Sequence, residues 1–140
     1  MANLKDFFAQ NVSKIENIKY VASDRIVSEG RPAEWEIRAI NSVEDAAIKK
    51  RCTKQVTTAI KGQYRSELDV DLYAANLAVA CTVFPDLNNA ELQNSYEVMG
   101  AVELLRTMLS IGEYNDYLLK VQEVNGFNKT MDELVDDAKN

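Results

Sequence analysis

The sequence predicts a single α+β domain, mostly helical, in which an N-terminal β-hairpin packs on a helical bundle. Three observations predict this fold class. Residues 18–40 are rich in β-branched and aromatic side chains and alternate in part with a period of two. Residues 41–140 place apolar side chains at helical spacing behind repeated helix-capping residues. A chain of 140 residues, 46% of them hydrophobic, has the length of one domain and can bury a core.

The first predicted element is a short helix over residues 4–10. Asn3 is a suitable N-cap because its side chain can accept from the unpaired amides of the first turn, where Asp6 also suits the helix dipole. One edge of this helix is apolar and consists of Leu4, Phe7 and Phe8.

Two strands, 18–27 and 33–40, are predicted to complete the 1–40 region as a β-hairpin. Alternation in the second strand places Trp35 on the buried side, where it packs the hairpin against the helices. Gly30 and Pro32 mark the turn, because glycine tolerates positive φ and proline fixes φ.

The 41–140 region is predicted to be helical and is marked by four capping pairs: Ser42 with Asp45, Asn88 with Glu91, Ser110 with Glu113 and Thr130 with Glu133. A lone cap, Asp69, starts one further helix. The expected helices cover residues 42–53, 70–83, 89–98, 101–109, 111–124 and a short segment after Thr130. Asn125-Gly126 ends the fifth of them, since glycine can take the left-handed conformation of a helix stop. Residues 54–66 lack a clear period and are interpreted as a loop, with a strand as the alternative.

Composition excludes several kinds of chemistry. Without histidine the chain has no Ser-His-Asp or Cys-His pair and no imidazole zinc ligand. Its glycines form no phosphate-binding motif. We therefore expect no cofactor, no metal site and no membrane span, and a cytoplasmic chain whose two cysteines stay reduced.

Two residual catalytic candidates each have a simpler interpretation. Cys52 is flanked by cations that could lower the pKa of its thiol, but no partner base or CxxC motif accompanies it. Cys81 falls on an apolar helix stripe. The paired carboxylates Asp69/Asp71 and Asp136/Asp137 suit a helix cap and a solvated face better than acid–base catalysis.

Charge is distributed unevenly along the chain. Residues 1–70 hold 12 Lys and Arg against 10 Asp and Glu, whereas residues 71–140 hold 4 against 12. The basic stretch, 46–66, contains six cations and no acid: Lys49, Lys50, Arg51, Lys54, Lys61 and Arg65. It is interpreted as a solvated face, as a contact for an acidic protein surface, or, with Tyr64 as a stacking ring, as a nucleic-acid contact that the net charge of −6 opposes.

Aromatic residues of the 111–124 helix divide between core and surface. Tyr114, Leu118 and Val121 share one line at helical spacing and are predicted to be core. Tyr117 lies on an adjoining line and is a candidate for exposure and for partner binding.

A set of collinear segments resembles the XkdN-like tail assembly chaperones of tailed bacteriophages and defective prophages. The resemblance covers nearly the whole chain and fits least over residues 55–60. The matching segments are Leu4-Lys5-Asp6-Phe7-Phe8, Trp35-Glu36-Ile37-Arg38-Ala39-Ile40, Cys52-Thr53-Lys54, the run from Leu77 to Leu87, Glu91-Leu92-Gln93, Ser95-Tyr96, Met99-Gly100-Ala101, Gly112-Glu113-Tyr114 and the run from Val121 to Gly126.

The resemblance implies a non-catalytic protein that acts in the bacterial host cytoplasm and is not expected in the mature virion. It implies that the chain binds the long tape measure protein and keeps it soluble until tail tube protein assembles around it. Lys49, Lys50, Arg51, Lys54, Tyr64 and Tyr117 are the candidate partner-binding residues. The alternatives are a structural tail component, a nucleic-acid-binding regulator that uses the basic stretch, and a small enzyme.

Overall fold

The computed structural model describes residues 1–127 and begins with an exposed N-terminal arm. Two 3-10 turns, Leu4–Phe7 and Ala9–Asn11, replace the predicted 4–10 helix. The predicted cap is present: Lys5 N donates to Asn3 Oδ1 at 2.9 Å and Asn3 N donates to Asp6 Oδ2 at 2.9 Å. None of the described residues buries this apolar edge, so no burial within that part of the chain stabilises a full α-helix here.

The main sheet has three antiparallel strands in the order β1–β4–β7, with β1 at Ile18–Tyr20, β4 at Trp35–Ile37 and β7 at Thr82–Phe84. Tyr20 lies opposite Trp35, which confirms the predicted antiparallel pairing. The strands are shorter than predicted. The hairpin tip forms a separate two-residue ribbon, β2 Val27–Ser28 and β3 Arg31–Pro32.

Helix α2, Val70–Cys81, ends earlier than predicted because β7 begins at once. Thr82 takes an extended conformation and pairs with Ile37 of β4. Next to this pair, Cys81 O accepts a hydrogen bond from Arg38 N at 2.8 Å. Hydrogen bonds to a strand some 45 positions earlier therefore replace one more helical turn. The prediction that the helix continues to residue 83 is wrong.

The region predicted as a loop, with a strand as the alternative, instead forms two paired strands of a β-hairpin. Helix α1, Ser42–Arg51, leads directly into β5, Thr53–Thr57, which pairs with β6, Tyr64–Leu68. Almost every side chain of the two strands is exposed. Because neither face of the hairpin is buried, its sequence does not alternate between apolar and polar residues.

The remaining helices are α3 Ala90–Ser95, α4 Ala101–Met108 and α5 Ile111–Val124. The predicted capping box of Ser110 with Glu113 is confirmed. Two other predicted caps are one residue off, since Asn41 rather than Ser42 caps α1 and Asn89 rather than Asn88 caps α3. The predicted helix after Thr130 lies outside the described residues.

The core is formed mainly by side chains of β4, α2, α4 and α5. Its largest fully buried side chains are Trp35, Tyr117, Ile37, Leu104, Leu105, Val121 and Cys81. The predicted packing of Trp35 between the strands and the helices is confirmed. The α+β class holds, although three small sheets make "mostly helical" a loose description. Within residues 1–127, no helix is both long and apolar enough to cross a bilayer.

Candidate partner-binding surface

The basic stretch lies at the end of α1 and along the β5–β6 hairpin. Lys49 is held to the body, because its ammonium lies 3.1 Å from Asp45 Oδ2 and 5.7 Å from the centre of the Tyr73 ring. Lys50, Arg51 and Lys54 are exposed. All four predicted cations are therefore at the surface, and Lys49 is in addition paired with an acid of its own helix.

The hairpin separates its aromatic ring from its cations. In the strand register Lys54 lies opposite Glu67 and Val56 opposite Arg65, whereas Tyr64 lies opposite Thr57. Because successive side chains of a strand alternate between faces, Tyr64 lies on one face of the hairpin and Lys54 and Arg65 lie on the other. A nucleic-acid surface that combines phosphate contacts with stacking needs both on one face, so this arrangement opposes that alternative.

Tyr117 is fully buried, and its predicted exposure is wrong. The centroid of its ring lies 5.2 Å from that of the Trp35 ring, with the two rings packed edge to face, and its hydroxyl lies 2.6 Å from Thr82 Oγ1. Burial raises the pKa of the Tyr117 phenol. The adjoining helix line faces β4 and β7, so this tyrosine belongs to the core.

Both cysteines are buried. Burial raises the pKa of the Cys52 thiol, and this effect exceeds the lowering by Arg51. Burial likewise raises the pKa of Cys81, whose sulfur accepts from Asn125 Nδ2 at 3.4 Å. A raised pKa disfavours the thiolate that nucleophilic chemistry requires, contrary to the activation considered for Cys52.

In the first carboxylate pair, Asp69 caps α2 and Asp71 is exposed in the first turn of the same helix. Asp69 Oδ1 accepts from Leu72 N at 3.1 Å, which confirms Asp69 as the cap of α2. The pair Asp136/Asp137 lies outside the described residues. Within the described residues, no group of three or more acids and cysteines is placed to hold a metal ion.

The N-terminal arm, residues 1–17, carries exposed apolar side chains that sequence reasoning did not identify as a surface. Leu4, Phe7 and Ile15 are each more than 70% exposed, and Phe8 and Val12 are also open to solvent. A hydrogen bond from Asn17 Nδ2 to Glu36 Oε2, 3.2 Å, links the base of the arm to the sheet. Apolar spacing alone could not have revealed this exposure, because it looks the same whether the partner is the chain's own core or another protein.

Comparison with known proteins identifies the family. A profile of the family described as "Phage XkdN-like tail assembly chaperone protein" matches residues 4–139. The chain belongs to this family of phage tail assembly chaperones. The resemblance that the sequence segments indicated is thereby confirmed.

Individual relatives of this tail assembly chaperone come from Bacillus subtilis (strain 168). The chain is 30% identical to "Uncharacterized protein YqbN" over 99% of its own length and 93% of the relative's. It is 28% identical to "Phage-like element PBSX protein XkdN" over 99% and 94%. The crystal structure of YqbN superposes with a TM-score of 0.77 at 28% identity, covering 91% of this chain and 99% of that one.

Proposed function

We propose that this chaperone binds the tape measure protein and keeps it soluble while tail tube protein assembles around it. It acts in the host cytoplasm and leaves before the virion is complete. A tape measure protein is a long, largely helical chain with apolar seams, and such seams aggregate when they are exposed. Family membership supports the chaperone role, and the exposed apolar arm is the observation that favours direct contact with a partner.

The arm suits a contact that must be reversible. Twelve of its residues include five large exposed apolar side chains, Leu4, Phe7, Phe8, Val12 and Ile15. These side chains can cover a partner's seam without any change in the domain core. A small interface of this kind dissociates readily, which the displacement by tail tube protein requires.

The cations Lys50, Arg51 and Lys54 provide a charged rim for the same partner. They are exposed, while Lys49 is partly neutralised by Asp45. Charged groups at the rim of an interface speed encounter and select the partner more than they add affinity. An acidic surface flanking the apolar seam is the complementary chemistry.

Co-expression with the tape measure protein of the same phage or prophage tests the proposal. The readout is the fraction of tape measure protein that stays in the supernatant after centrifugation. Phe7→Asp with Ile15→Asp should lower that fraction severalfold, because two of the apolar contacts become charged. The matched control, Gln10→Asp with Ser13→Asp, adds the same charge to the same arm and should leave solubility unchanged.

The rim is tested separately by reversing Lys50, Arg51 and Lys54 to Glu. We expect slower association and a weaker dependence of association on salt. A tape measure protein that stays equally soluble without the chaperone would overturn the proposed function. Recovery of this chain in purified tails would instead favour a structural tail component.

A further inference from the structure

Within residues 1–127, strand β6 has one edge that pairs with no other strand. The β5–β6 hairpin is a two-stranded sheet of its own, and its side chains are exposed apart from the half-buried Val56 and Leu68. A two-stranded ribbon without cover on either face is marginally stable in water. An open edge is also a ready template for another strand.

The ladder determines which backbone groups of β6 face outward. Thr58 N donates to Gln63 O at 3.2 Å, and Asp69 N donates to Cys52 O at 2.9 Å. Since hydrogen-bonded pairs alternate along an antiparallel ladder, the amides and carbonyls of Arg65 and Glu67 point toward β5. Those of Tyr64, Ser66 and Leu68 point away from β5, and within residues 1–127 none of these outward groups forms a hydrogen bond.

We propose that a second copy of this chain covers the edge, with β6 of one protomer antiparallel to β6 of its partner. The result is a four-stranded sheet with a two-fold axis at Ser66. In this register the outward amide and carbonyl of position 64 bond to those of position 68 in the second copy. The outward groups of position 66 bond to those of position 66 in the second copy. Every outward amide and carbonyl of the strand is then satisfied.

Charge selects this register over its neighbours. With the axis at Ser66, Arg65 of one protomer lies directly opposite Glu67 of its partner, and the reverse pair forms by symmetry. Moving the axis to position 65 opposes two arginines, and moving it to position 67 opposes two glutamates. Opposite charges directly across an antiparallel pair stabilise it, whereas like charges destabilise it.

The outer strands continue the same alternation. In the ladder Lys54 lies opposite Glu67, so one row across the four strands carries the charges of Lys54, Glu67 and the second protomer's Arg65 in alternating sign. Within one chain, the Arg65–Glu67 ion pair is long, at 3.5 Å between Nη2 and Oε2. Both side chains are therefore available for a better partner.

Sedimentation of the full chain over a concentration series tests the dimer. We expect reversible dimerisation that weakens about tenfold or more in Arg65→Glu and in Glu67→Arg, because each variant replaces two attractive cross-strand pairs by two repulsive ones. Lys61→Glu makes the same charge change as Arg65→Glu, but at the hairpin tip and away from the ladder, and should dimerise as the natural chain does.

Mixing the two weakened variants provides the decisive measurement. A protomer with Glu at 65 and 67 and one with Arg at both positions place opposite charges at both pairs, so the mixture should associate at near-natural strength. Such rescue cannot arise from repair within one chain. A chain that stays monomeric throughout, variants that dimerise normally, or a mixture that fails to associate would each overturn the proposal.

Discussion

Glu113 shows how a single side chain joins local and tertiary structure. Its carboxylate accepts from Ser110 N at 2.8 Å, completing the capping box of α5, and from Arg25 Nη2 at 2.7 Å. Arg25 also donates to Met108 O at 3.0 Å. The arginine therefore holds the segment after β1 against the connection between α4 and α5.

This arrangement predicts acid sensitivity. The Arg25 guanidinium, with the Ser110 amide and the Ser23 hydroxyl, lowers the pKa of Glu113 from 4.5 to about 2. Because the folded-state pKa is lowered, the stabilisation is present above pH 4.5 and is lost as pH falls toward 2. In acid titrations followed by circular dichroism, Glu113→Gln should flatten this part of the stability profile. Glu103→Gln, at an exposed carboxylate, should leave the profile unchanged.

Tyr117 and Tyr64 form a matched pair of core and surface tyrosines. Tyr117→Ala should reduce the free energy of unfolding by about 3–5 kcal/mol, because it leaves a cavity beside Trp35. Tyr64→Ala should cost less than about 1 kcal/mol, since the ring is 64% exposed. Urea titrations at low protein concentration measure both. Equal costs would contradict the placement of Tyr117 in the core.

At the scale of elements, helix starts are specified locally but only to within a residue. The carbonyl oxygen of the Asn41 side chain accepts from Glu44 N at 3.0 Å, so the α1 cap precedes the Ser42 that the spacing favoured. Both residue types are good caps, and the choice between them depends on where the chain leaves the preceding strand.

The two caps differ in expected energetic cost. Asn41→Ala should reduce the free energy of unfolding by about 0.5–2 kcal/mol, because the amide of Glu44 loses its acceptor. Ser42→Ala should have little effect, because alanine favours a helix interior as much as serine does or more. Thermal unfolding of the two variants compares them directly. A larger loss of stability in Ser42→Ala than in Asn41→Ala would indicate that Ser42 is the cap.

For the whole molecule, the arm contributes no side chain to the domain core. The core residues lie between Ala22 and Val121, and all of residues 1–19 are exposed. Phe7→Asp with Ile15→Asp should therefore leave the midpoint of thermal unfolding within about 1 °C of the natural chain, as expected for changes that remove no buried contact. A large drop would show that the arm packs on the domain and would remove it as a free contact surface.

Features determined by neighbours along the chain could be predicted from the sequence alone. Four such features depend only on side chains and φ preferences within a few residues. They are the capping box at Ser110, the cap at Asp69, the helix stop at Asn125-Gly126 and the turn at Gly30. The matching segments also determined the family. The caps, the stop and the turn each depend on a local pattern, whereas the family match depends on a set of segments along nearly the whole chain.

The tertiary structure decided the features that need a distant partner. Thr82–Phe84 is a strand only because β4 supplies its hydrogen bonds, and the β5–β6 hairpin hides its period because neither face is buried. Tyr117 enters the core, and the arm stays outside it, for the same reason. An apolar pattern identifies side chains that favour burial, but only the packed chain determines which of them are buried and which stay exposed.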